Sequence, residues 1–227
     1  MIKLFKSEFI YISGIPTLNF LKRAPTNWFQ SVLLVTLVYG SIDILLSFSS
    51  WELIVKLFPV IEEADWDITE LGFWDAAFSA IIIAPLFEEP VFRLILKFSK
   101  TRWNISFLLL IFMSIAVSKY LFFAGLIIWA IVGIKLIDRY FYSKFLFTFL
   151  KFKKFIFWFI ALSFGFIHLG NFDLEMLPMY LYVPAVLPQL IGGVLLGIVR
   201  IRFGFWYAVL LHAYTNGCAI FMTFYWG

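Results

Sequence analysis

Seven apolar runs, near 28–49, 71–96, 103–118, 120–137, 155–171, 180–199 and 204–225, take up most of this 227-residue chain. Each approaches the roughly 20 residues a helix needs to cross a hydrocarbon layer. With 63% of residues hydrophobic, 22% aromatic and only 14% charged, the composition lies far from that of a soluble domain. The expected fold is all-α: a polytopic transmembrane helix bundle of about seven spanning helices, six to eight, with the division at Lys119 the least marked. No repeat or low-complexity linker interrupts the runs, so residues 28–227 read as one transmembrane domain.

The charges between the runs give an orientation. Lys22 and Arg23 precede the first run, acids from Glu52 to Glu70 fill the first loop, and Lys97, Lys100 and Arg102 follow the second run. Arg139, Lys144, Lys151, Lys153 and Lys154 precede the fifth run, Asp173 and Glu175 follow it, and Arg200 and Arg202 follow the sixth. The positive-inside rule then puts the N-terminus in the cytoplasm, with Lys119 the one dissenter. Trp28, Trp51, Trp103, Trp158, Trp206 and Trp226 lie near run ends, as interfacial anchors do, and Trp129 does not. Residues 1–27 mix Lys3, Lys6, Lys22 and Arg23 with short apolar pieces and lack a cleavage pattern, so they read as a cytoplasmic interfacial segment. A net charge of +4 whose bases mark topology excludes a nucleic-acid footprint, leaving membrane lipid as the expected surroundings. Cys218 is the single cysteine, so no internal disulfide or cysteine-rich metal site can form. Gly193 and Gly197, four apart, would let a neighbouring helix approach closely.

Against this background the stretch Ala84-Pro-Leu-Phe-Glu-Glu-Pro-Val-Phe-Arg93 stands out. Each charge at a helix centre costs roughly 2.5 to 3.5 kcal/mol on insertion scales, so these residues need partners or a use. Arg93 is at i+4 from Glu89, the favourable order for an intrahelical pair. Glu88 has no such partner, the preparation a general base needs. Pro85 and Pro90 are expected to bend or break the helix beside the acids. A buried Glu–Arg clamp that only orients helices is the structural alternative. Counted along helices from the nearest basic residue, Glu88 lies roughly 13 Å from Lys97, His168 roughly 21 Å from Lys154 and His212 roughly 15 Å from Arg202. All fall near the middle of a layer about 30 Å thick, which suggests one shared site using both histidines of the chain. Asn216, at i+4 from His212, could donate to an oxyanion or satisfy a backbone group, and Phe164 would wall the His168 face.

These residues resemble a known family. Glu88-Glu89-Pro90-Val91-Phe92-Arg93 matches the EExxxR motif of the CPBP intramembrane proteases, the CAAX prenyl endopeptidases and bacteriocin-processing enzymes. Phe164-Gly165-Phe166-Ile167-His168 matches the FxxxH motif, and His212-Ala213-Tyr214-Thr215-Asn216 the HxxxN motif. The likeness covers about residues 75–222 and leaves the first 70 unaccounted for. The stretch between the first two motifs carries two more apolar runs than the family leads one to expect.

The resemblance implies an intramembrane endopeptidase acting on a membrane-associated protein or peptide, with bacterial plasma membrane the expected location. By that similarity Glu88 would activate water, Glu89 and Arg93 would order the helix, His168 and His212 would position water or bind metal, and Asn216 would stabilise the oxyanion. A divalent metal such as zinc on His168 and His212 would oblige Glu88 to be either ligand or base. Metal-free activation by Glu88 avoids that conflict and is the preferred expectation. A non-catalytic scaffold or immunity protein, and a proton- or ion-coupled transporter, are the competing readings.

Overall fold

The computed structural model describes residues 24, 26–115 and 118–226, and the architecture is helical throughout them apart from one isolated bridge, Asp65 to Phe172. Of the expected N-terminal interfacial segment only Ala24, Thr26 and Asn27 are among the described residues, so that expectation lies outside them.

Helix α1 (Trp28–Leu57) begins where Asn27 and Gln30 close a reciprocal capping box, Asn27 Oδ1 accepting from the Gln30 N–H at 2.9 Å. It contains a π-helical stretch, Val35–Gly40, and ends just before Pro59. After the short α2 (Val60–Ala64) comes α3, continuous over 73–93, in which Phe73–Phe78 and Ala84–Arg93 are joined by a second π-helical stretch, Ser79–Ile83. Ser99, Ser118 and Asp138 cap α4 (Lys100–Ser114), α5 (Lys119–Lys135) and α6 (Arg139–Lys151) through side-chain oxygens. Helix α7 (Lys153–Asn171) closes in a 3₁₀ turn that starts at His168. The chain then passes through α8 (Tyr182–Ala185) to α9 (Leu187–Arg202), turns at Gly204, whose φ of +133° suits glycine, and finishes in α10 (Phe205–Trp226).

Helix α9 is the central post, packed against α1, α7 and α10, with α3 set against α10 and α4. The close approach expected at Gly193 and Gly197 occurs, and the neighbour is α7. A Cβ on Gly193 would stand 2.8 Å from the Ala161 carbonyl oxygen, and one on Gly197 2.7 Å from the Phe157 ring. A large apolar core between α1, α3, α7, α9 and α10 includes Tyr39, Phe92, Phe157, Phe164 and Leu196. A smaller one at the other end gathers Ile54, Ile61, Phe172 and Leu181.

The span count departs from expectation. Among the described residues two helices, Trp28–Leu57 and Lys153–Asn171, are long and apolar enough to cross a membrane. The number rises to four if Lys119–Lys135 with Arg139–Lys151, bent by 113°, and Met179–Ala185 with Leu187–Arg202, bent by 46°, each make one span. The expected seven are not reached because polar residues and helix length both intervene. Helix α3 carries Asp75, Glu88, Glu89 and Arg93, α10 carries His212, Thr215 and Asn216, and α4 is only 15 residues long. The two extra runs, α4 and α5, pair with each other, and α5 has no buried residue. Helix α5 is thus peripheral, whereas α4 packs against α3, its buried Ser106 donating to the Val91 carbonyl oxygen.

Two tryptophans also gain a role. Trp103, expected at an interface, is buried and stacked on Phe107. Trp129, which fitted no interface, donates its indole N–H to Asn104 Oδ1 at 3.1 Å, tying α5 to α4.

Candidate active site

Helices α3, α7 and α10 bring the singled-out polar residues together. Glu89 and Arg93, one turn apart, are fully buried, with Arg93 Nε 3.5 Å from Glu89 Oε2. The guanidinium lies 4.4 Å above the Phe164 ring, and none of its nitrogens has a hydrogen-bond partner among the described residues. Its positive charge is therefore held by the Glu89 carboxylate and the aromatic face. The other Glu89 oxygen, Oε1, faces His212 Nδ1 at 3.0 Å. Because that oxygen belongs to a carboxylate, Nδ1 is the donor, which leaves the lone pair of His212 on Nε2.

His168 arrives at the same tautomer by a different route. Its Nδ1 lies 2.7 Å from the Phe164 carbonyl oxygen, which can only accept, so Nε2 again carries the lone pair. Both Nε2 atoms stand 3.9 Å from one oxygen, Glu88 Oε2. That oxygen is buried and without a hydrogen-bond partner among the described residues. The distance is too long for a direct hydrogen bond and suits a bridging water. The Glu88 and His168 side chains remain 20% and 17% exposed, so the centre is reachable from outside the protein. Phe164 walls it, its ring centroid 4.9 Å from His168 and 5.6 Å from His212.

The donor set does not fit zinc as placed. Ligand atoms across a tetrahedral zinc with bonds near 2.1 Å stand about 3.4 Å apart, less than the 3.9 Å from Glu88 Oε2 to either Nε2. Among the described residues no three His, Cys, Asp or Glu side chains are arranged to hold a metal ion.

Asn216 has a partner outside this triangle. Its Nδ2 donates to the Ala80 carbonyl oxygen at 2.7 Å. The cause lies in the π-helical stretch of α3, where the Ala84 N–H bonds back to Ser79 O, five residues earlier. The next donor in that register, due to Ala80 O, is residue 85, a proline without an N–H. Asn216 supplies the missing donor and keeps one N–H in reserve. The helix runs through Pro90 to Arg93, so the irregularity expected at both prolines is confined to the widened turn before Pro85.

Asp43 lies outside every motif singled out in the sequence. This carboxylate lies in the interior of α1, is 4% exposed and accepts from Ser47 Oγ at 3.1 Å. A lone acid inside an apolar run is itself the signal that finds it. Above the site, Trp66 N–H donates to Asn171 O and Asp173 N–H to Ala64 O, tying the first loop to the end of α7 three residues past His168. No protein-family model, curated protein or solved structure matches this chain.

Proposed function

We propose that this protein is an intramembrane endopeptidase of the kind its three motifs resemble, hydrolysing a peptide bond of a membrane-associated protein or peptide without a metal. The reading is carried by one observation: two imidazoles of matching tautomer aim their Nε2 lone pairs at the same otherwise unpartnered Glu88 oxygen from 3.9 Å. Three acceptor atoms converge and no donor among the described residues meets them, so the natural occupant is water.

A water held there donates toward Glu88 and one imidazole and presents its oxygen to a carbonyl carbon. Glu88 removes a proton as the C–O bond forms. The oxyanion is met by the second N–H of Asn216, whose amide is already oriented by Ala80. Glu88 then returns the proton to the nitrogen as the C–N bond breaks, releasing an amine and a carboxylic acid. Glu89 and Arg93 touch none of the reacting atoms; they hold His212 in its tautomer and the helix in place. In this reading α3 and α10 also cross the membrane, their polar residues turned inward, in a multi-span bundle with a cytoplasmic N-terminus. The surroundings are bilayer lipid, and the expected location is a bacterial plasma membrane.

The test compares the N-termini of membrane proteins in cells expressing wild type or Glu88→Gln at equal levels. The proposal expects a set of new N-termini that depends on Glu88. Identical profiles would remove it.

A further inference from the structure

Helix α3 carries both glutamates of the site and stops at Arg93, one turn past Glu89. The last carbonyls of a helix have no intrahelical donor, so the partners found at this end are informative. Ser106 Oγ of α4 donates to the Val91 carbonyl oxygen, and Arg200 Nε of α9 donates to that of Arg93 at 2.8 Å. Just beyond, Leu94 O accepts from the Lys97 N–H at 3.3 Å, and Lys97 O from Arg102 Nη1 of α4 at 2.9 Å. Of these side-chain donors Arg200 is the one both charged and buried, only 4% exposed. A cation at a helix C-terminus meets the negative end of the macrodipole, and its hydrogen bond is stronger than a neutral one.

The same guanidinium lies over the ring of Phe205, the first residue of α10, with Cζ 5.6 Å from the centroid. Arg200 therefore joins the end of α3 to the start of α10 while belonging to neither. The two helices run antiparallel: Phe73 meets Phe224 edge-on at 5.5 Å, Asn216 donates to Ala80 O at 2.7 Å, and His212 faces Glu89 at 3.0 Å. The Glu89–His212 pair is thus bracketed along α3, by Ala80 with Asn216 on one side and by Arg93 with Arg200 on the other. Arg93 is gripped twice, its backbone by Arg200 and its side chain by Glu89 Oε2, 3.5 Å from Nε. Glu89 in turn holds Nδ1 of His212, whose Nε2 faces Glu88. A last turn released by Arg200 would unwind back toward Glu89, only about 6 Å away along the axis.

We propose that Arg200 is a positioning residue of the site: bound to the Arg93 carbonyl and lying over Phe205, it fixes the end of α3 against the start of α10, so that His212 meets Glu89 through Nδ1 and Glu88 through Nε2. It touches none of the reacting atoms. The kinetic consequence rests on the hydrolytic reading above; the structural one does not. His168 supplies an internal control, because its Nδ1 is held within its own helix by Phe164 O.

The experiment records nitrogen NMR spectra of the full chain in detergent, isotope-labelled at its two histidines, with the signals assigned through His168→Gln. In the wild type both imidazoles should show the Nδ1–H tautomer. In Arg200→Leu, His212 should lose that single form and exchange between tautomers, while His168 stays as in wild type. Arg200→Lys, which keeps a cation able to donate, should restore the wild-type His212 signals. With a substrate identified from the N-terminal profiles, Arg200→Leu should lower kcat about tenfold with KM within about twofold, and Arg200→Lys should lie within about threefold of wild type. Unchanged His212 signals in Arg200→Leu, an equal change at His168, or Arg200→Lys behaving as Arg200→Leu would overturn the proposal. Should Arg200→Leu fail to accumulate, Phe205→Leu removes the aromatic face and leaves the guanidinium. The same change confined to His212 is expected there, and an unchanged spectrum would again overturn the proposal. The expected His212 pattern with no Glu88-dependent N-termini would keep the positioning role and remove the peptidase.

Discussion

His212 gives its Nδ1 proton to Glu89 Oε1 at 3.0 Å, across 123 residues of sequence, and so makes the neighbouring glutamate, Glu88, the one its other nitrogen faces. The two adjacent acids are sorted by their surroundings. Glu89, fully buried, is committed to Arg93 and His212, whereas Glu88 keeps an oxygen unpartnered among the described residues and partial exposure.

The first prediction separates them. Glu89→Gln leaves Arg93 buried without its counter-charge, a loss that typically costs about 3–5 kcal/mol, so it should lower the yield of folded protein and the Tm in detergent. Glu88→Gln breaks no such pair and should leave Tm within a few degrees of wild type while removing Glu88-dependent cleavage. Equal losses of Tm in the two variants would contradict this division of labour.

Asn216 and Pro85 form a donor-replacement pair. Asn216→Ala strands the Ala80 carbonyl and should cost about 1–3 kcal/mol. Pro85→Ala in the same chain supplies the backbone N–H that the π-helical register lacks, and should recover part of that loss in a Tm measurement. Activity should not return with stability, since the second N–H of Asn216 stays missing. Full recovery of both would confine Asn216 to a structural role.

The glycines of α9 should differ in tolerance from the one near the end of α5. At Gly193 an added methyl meets a backbone oxygen at 2.8 Å, which cannot step aside without moving α7, so Gly193→Ala should cost about 1–3 kcal/mol. At Gly133 nothing lies within 4 Å, and Gly133→Ala should be neutral or gain up to about 1 kcal/mol from helix propensity. Thermal unfolding in detergent distinguishes the two.

The loop clasp above the site should respond to pH. Partial burial, assisted by the charges of Asp67 and Glu62, pushes the Asp65 carboxyl up from 3.8 to about 6. A raised carboxyl binds its proton more tightly in the folded state, so its stabilisation is complete below about pH 3.8 and is lost as pH rises through about 6. Much of the residue surface is exposed, so solvent screens the effect and keeps it small. Hydrogen-exchange protection factors of the Trp66 and Asp173 amides should fall as pH rises from 3.8 to about 6, and stay level in Asp65→Asn. A wild-type profile as flat as that of the variant would refute the coupling.

What the sequence determined was local chemistry. Apolar runs made the chain helical, the i,i+4 spacing of Glu89 and Arg93 made them partners, and the scarcity of Glu88, His168 and His212 at similar depth pointed to one layer. Those inferences need only helix geometry and the cost of charge in an apolar medium. Side-chain pairing between helices was decided by the tertiary structure. The π-helical turn that orphans Ala80 and recruits Asn216, the choice of Glu89 by His212, and the burial of Asp43 against Gly192 all depend on how α1, α3, α9 and α10 are rotated against one another. Span number is decided at the same level. Hydropathy registers how apolar a run is, but whether two runs form one bent element, or a polar face turns inward, is set by the neighbours each helix finds.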